Sequence, residues 1–68
     1  MEDFGKLCRQ LRKQMKMSQD KVAEKAGVTS RRVSEIESGN SVSWLTLEAV
    51  LGVFGYELKV VKADGEEE

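Results

Sequence analysis

The side chains available for chemistry are few. The 68 residues include no histidine and one cysteine, Cys8. A Ser–His–Asp triad is therefore impossible, and a zinc finger lacks its ligands. Neither a P-loop nor a GxGxxG turn is present. Glu35 and Glu37, two apart on a helix, point to different sides and make no general acid/base pair. What remains is a dense run of hydrogen-bonding groups from Thr29 to Ser43, TSRRVSEIESGNSVS, containing two adjacent guanidinium forks, Arg31 and Arg32. A guanidinium donates parallel hydrogen bonds to paired acceptors. That is the chemistry of recognition, and no catalytic function is expected.

The elements that must position these groups lie in Met17 to Gly39, MSQDKVAEKAGVTSRRVSEIESG. Ser18 is suited to cap a helix, accepting from an amide one turn in. Val22, Ala23 and Ala26 then form a narrow apolar stripe whose alanines allow a second helix close. Gly27 can turn left-handed to end that helix, and Val28 can plug the corner. Thr29 caps the next helix, Val33 and Ile36 face inward, and Gly39 stops it. Two short helices around a glycine corner make a helix-turn-helix.

Gln19, Ala23, Gly27, Val33 and Ile36 stand at the spacing of the phage-repressor-like (Cro-like, XRE) helix-turn-helix family, and the phrase SQDKVAEKAGVTSRRVSEIESG resembles that family almost throughout. The resemblance implies an all-α, four-helix, lambda-repressor-like domain whose second motif helix enters the major groove of double-stranded DNA. It implies base contacts from Ser30, Arg31, Ser34 and Glu35. The fork of Arg31 matches guanine O6 and N7, while Arg32 reaches a base or a phosphate. Glu35 either accepts from cytosine N4 or orients an arginine. Phosphates would be held by Ser18, Gln19 and the amides opening the first motif helix, and by Arg32, Ser38, Asn40, Ser41 and Ser43. The family often carries arginine or lysine in that last loop, and its absence here implies more salt-sensitive binding. The resemblance also pairs Arg12 with Glu37, an ion pair that would fix the angle of the recognition helix.

Around the motif, Phe4, Leu7, Cys8, Leu11 and Met15 recur at helical spacing, with Asp3 as a cap. Cys8 lies on that face and is expected to pack in the core. Lys6, Arg9, Lys13 and Lys16 form an outer basic face, either simply solvated or skirting the DNA backbone at Lys16. After the NSVS loop, Ser43 can cap a fourth helix with Leu47, Val50, Leu51 and Phe54 inward and Gly55 at its end. Trp44 is expected in the core or at a dimer seam rather than as a stacking platform. Tyr56 to Val61 alternate with period two and favour a strand.

Sixty-eight residues, 40% hydrophobic and 6% aromatic, suit one small aliphatic domain. The overall charge of −1 is set by Asp64, Glu66, Glu67 and Glu68; residues 1–62 hold eleven basic and eight acidic side chains, net +3. The expected organisation is a DNA-binding domain over 1–55, a dimerisation strand over 56–62 and a disordered acidic tail over 63–68. The strand, with Tyr56, Glu57, Leu58, Lys59 and Val60, would pair with its own copy across a two-fold axis. A soluble, cytoplasmic homodimer without cofactor or metal follows, repressing from a palindromic operator. A helix-turn-helix followed by such a strand also resembles antitoxins of the HipB type, which implies autoregulation and a kinase-like toxin partner. The competing reading is a protein-interaction module that uses the same fold without DNA.

Overall fold

A computed structural model describes residues 2–59. Four helices follow one another: α1 (Glu2–Gln14), α2 (Gln19–Ala26), α3 (Ser30–Glu37) and α4 (Trp44–Val53). The last three each start on a hydroxyl cap. Ser18 Oγ accepts from Lys21 N at 3.0 Å, Thr29 Oγ1 from Arg32 N at 3.2 Å and Ser43 Oγ from Thr46 N at 3.2 Å. Caps of this type stabilise by about 1 kcal/mol each.

All four helices end in the same turn. After α2 the chain goes left-handed at Gly27 (φ +74°), and Val28 N reaches back to Ala23 O at 3.0 Å. Gly39 (φ +87°) and Gly55 (φ +88°) do the same after α3 and α4, with Asn40 N bonded to Glu35 O and Tyr56 N to Leu51 O. Each such turn satisfies carbonyls that the helix end leaves open. At the end of α1 the left-handed position falls on Lys16 (φ +58°), where Met17 N donates to Arg12 O at 3.0 Å.

That turn corrects two expectations. Met15 falls beyond the last residue of α1 and is 51% exposed rather than part of the core face. Met17, one residue past the turn, packs against the core instead. At the other end, Asp3 lies within α1, which already includes Glu2, so it is not the residue ahead of the helix.

Each helix gives side chains to one core: Cys8 from α1, Val22 and Ala23 from α2, Val33 and Ile36 from α3, and Leu47, Val50 and Leu51 from α4, closed by Phe54. Phe4, Leu7, Leu11, Val28 and Val42 are half-buried against it. α3 packs against all three other helices. Gly5, buried on α1, lets that helix approach the end of α3 backbone to backbone: a Cβ there would overlap Ile36 O and sit 3.1 Å from Glu37 O.

The expected strand does not form over 56–59, which carry no regular structure. A strand needs a neighbour to receive its amides and carbonyls, and the described residues offer none. Leu58 instead packs its side chain against the core, while Tyr56, Glu57 and Lys59 are exposed. Val60 and the rest of the expected strand and tail lie outside the described residues. Trp44 is 48% exposed at the start of α4, so it is not a core residue.

Candidate nucleic-acid interface

The outward side of α3 is built by elimination. Burying Val33 and Ile36 leaves Arg31 and Arg32 in solvent on the opposite side, with Ser34 and Glu35 between the two environments. Glu35 joins the two arginines, one through each oxygen. Arg32 Nη1 lies 2.9 Å from Oε1 and Arg31 Nε lies 3.3 Å from Oε2. The bond from Arg32 and the charges of both arginines hold the Glu35 carboxyl below the usual carboxylate range. Ser30 donates its hydroxyl hydrogen to Asp20 Oδ1, tying the start of α3 to the first turn of α2.

Behind this surface lies a second polar group, nearly enclosed. Arg12 meets the carboxylate of Glu37 with two parallel bonds, Nε to Oε2 at 2.7 Å and Nη2 to Oε1 at 3.1 Å. Its remaining terminal nitrogen donates to Met17 O at 3.0 Å. Gln19 Nε2 adds a third donor to Glu37, 3.1 Å from Oε1. The side chain of Glu37 is only 6% exposed and that of Arg12 15%. Burial alone would push the Glu37 carboxyl up; the bonds from Arg12 and Gln19, with the charges of Arg12 and Arg9, outweigh it and hold it below the ordinary range. The bond to Glu37 in turn raises the Arg12 guanidinium, more than its own burial lowers it. Cys8, beside this group, has its thiol pushed up to about 11 by burial and by the Glu37 charge.

This group clamps α1, the turn after it, α2 and α3 at one point. Gln19 and Asp20 both bond to α3, so the first turn of α2 lies alongside α3. The capped N-terminus of α2 and the outer side of α3 therefore belong to one surface. A helix-turn-helix presents its groups to nucleic acid in this arrangement. The helix-turn-helix family model matches residues 9–61. The chain belongs to the helix-turn-helix family. It is of the XRE type, whose members are DNA-binding transcription regulators. A search of curated proteins returns no match to this chain. Among the described residues, no helix is long and apolar enough to cross a membrane.

Within this helix-turn-helix the remaining candidates are placed as follows. Ser18 is exposed and uses its oxygen as a cap, leaving its hydroxyl hydrogen to donate. Gln19 commits one amide hydrogen to Glu37 and is half-buried. Ser38, Asn40 and Ser41 are exposed in the loop after α3, whereas Ser43 directs its hydroxyl to Thr46 Oγ1 at 2.9 Å. Gly5 and Met17 were not singled out by the sequence, yet both shape the site. Gly5 seats α1 on the end of α3, and Met17 supplies the carbonyl that completes the bonding of Arg12. A glycine at helical spacing with Cys8 and Arg12 was the available signal for the first.

Proposed function

We propose that the chain is a sequence-specific repressor that reads a palindromic operator as a homodimer. One observation carries the reading: Arg31 stands 84% exposed on the recognition helix and is bonded through Nε, which leaves both terminal nitrogens facing outward as a pair. That pair fits guanine O6 and N7 in the major groove. Ser34 lies one turn along from Ser30 and can add a further contact. Arg32, Ser18, the first amides of α2, and the exposed Ser38, Asn40 and Ser41 would take phosphates.

Dimerisation would use residues 56–60, centred on Leu58, so that Glu57 meets the partner's Lys59 and Tyr56 meets the partner's Val60. The Tyr56 to Lys59 segment, without regular structure and exposed except at Leu58, supports this, since pairing would give the backbone groups beyond the Tyr56 amide partners. The arrangement of a helix-turn-helix followed by a pairing strand extends the reading to an antitoxin of the HipB type with a kinase-like toxin.

The second reading is an interaction module without DNA, favoured by the exposed apolar side chains Trp44, Leu45 and Tyr56. A gel-shift assay on a random-sequence duplex pool, with wild type, Arg31→Ala and Arg32→Ala, separates the two. The DNA reading expects wild type to enrich a two-fold symmetric site with half-sites about one helical turn apart. Equal, weak binding by all three proteins at physiological salt would favour the interaction module.

A further inference from the structure

Glu35 sits in an unusual position for a group facing DNA. It is an acid on the recognition helix, 23% exposed, between two guanidiniums that are 84% and 56% exposed. Its two oxygens are divided between them, and they meet it through different atoms. Arg31 uses Nε, so its two terminal nitrogens stay available as a parallel pair. Arg32 uses a terminal nitrogen, Nη1, so the parallel pair it keeps undisturbed is the lateral one, Nε with Nη2. One carboxylate therefore presents the first arginine by its tip and the second by its side edge.

We infer that Glu35 is a positioning residue that sets DNA selectivity by pinning Arg31 for a guanine and withholding both arginines from indiscriminate phosphate contact. The inference rests on the DNA-binding reading above. On a matching site, Arg31 donates to guanine O6 and N7 while its Nε bond to Glu35 is kept, so nothing is broken on binding. On any other sequence no guanine meets the held fork, and wherever the backbone does not pass the arginines as they are held, they gain phosphates by leaving Glu35. The abandoned carboxylate is then left unpaired near the negative backbone, where like charge repels it. Glu35 thus costs non-specific binding more than specific binding. It does so without touching a base.

The test begins by selecting bound duplexes from a random pool with the wild-type protein. Dissociation constants are then measured for the selected site and for a scrambled duplex, across a salt series, with wild type, Glu35→Gln and Arg31→Lys. Glu35→Gln should bind the scrambled duplex about 3- to 10-fold more tightly at low salt, with a steeper salt dependence, because charge on two arginines is released. Its preference for the selected site should fall about 10-fold. Arg31→Lys keeps the charge and loses the fork, so it should lose the preference without the gain on scrambled DNA. Equal tightening on both duplexes would reduce Glu35 to bulk electrostatics and overturn the inference. So would a loss confined to one cytosine in the selected site, which would make Glu35 a direct reader. Failure of the wild type to select any site would overturn the DNA reading itself, and this inference with it. A thermal melt of each variant distinguishes these outcomes from unfolding, since Glu35 lies outside the buried core.

Discussion

Gly5 of α1 rests directly on the main-chain carbonyl of Ile36, so that the contact between the first helix and the recognition helix is backbone against backbone. A Cβ at this position would overlap that oxygen and approach Glu37 O to 3.1 Å, and neither atom belongs to a side chain that could rotate aside. Glycine normally weakens a helix by roughly 1 kcal/mol relative to alanine. Here the closeness of α3 requires it.

Gly5→Ala should therefore destabilise the domain by about 1–3 kcal/mol in spite of the better helix propensity. Gly52, inside α4, has open space where its Cβ would be. Gly52→Ala should stabilise by roughly 0.5–1 kcal/mol. Opposite shifts of the two variants in thermal unfolding would check both statements at once. A stabilised Gly5→Ala protein would mean that α1 can move off α3.

Arg12 and Glu37 should behave as one unit. Removing either leaves a nearly enclosed charge without its partner, so Arg12→Ala and Glu37→Ala should each cost about 3 kcal/mol. The double variant should lose much less than the sum. DNA affinity should fall with stability in the single variants, because α3 loses its clamp to α1 and α2. Denaturant unfolding of the four proteins gives the cycle, and additive losses would show that the two side chains act independently.

The same pair predicts an acid transition. The Glu37 carboxyl is held below its ordinary range in the folded chain, so the unfolded state binds its proton first as the pH falls. Its stabilising contribution is complete above the unfolded value, about 4.3, and is lost as the pH drops through the lower folded value. Cys8 acts at the other end of the scale: its thiol is raised to about 11, so stability declines as the pH rises above the unfolded thiol value, near about 8.5. Unfolding free energies measured from pH 3 to 10 should fall at both ends. Glu37→Gln should flatten the acid limb and Cys8→Ser the alkaline one.

Lys16 adopts the left-handed backbone that the other three helix ends give to glycine. A side chain there costs about 1 kcal/mol. Lys16→Gly should raise stability by roughly that amount, visible as a higher melting temperature. An unchanged or lower melting temperature would show that the lysine side chain stabilises the folded state by as much as its backbone costs.

The features legible in the sequence are those decided within a few residues. Ser18, Thr29 and Ser43 cap helices because a hydroxyl and an amide one turn later are always within reach. Gly27, Gly39 and Gly55 end them because the left-handed turn is a local event. The inward placing of Val22, Val33, Ile36, Leu47, Val50 and Leu51 follows from spacing on single helices. The end of α1 was hidden because it carries no glycine, and Met15 was counted as core for that reason. The use of Gly5 could not be read from the sequence, since it depends on where α3 lies. The site shows the same division. That Arg31 and Glu35 share a helix side can be read from their spacing. That Glu35 takes Nε of one arginine and Nη1 of the next cannot, because it depends on rotamers. Residues 56–59 alternate like a strand, but alternation expresses only which side chains share a face, and pairing needs a second backbone.

The seam made by Gly5, Cys8 and Arg12 against the end of α3 has a genetic consequence. The surface proposed to meet DNA is held from behind by a helix whose own outer side faces solvent. A screen for loss of DNA binding should then return two kinds of lesion. Changes at Arg31 would abolish recognition in a protein of normal abundance. Changes at Gly5 or Arg12 would lower abundance, grow worse with temperature and be rescued by a second-site change such as Gly52→Ala, at a position that makes no contact with DNA in this reading. Sorting variants by whether a distant stabilising change restores them would map, in a population of living cells, where the reading head ends and its mounting begins.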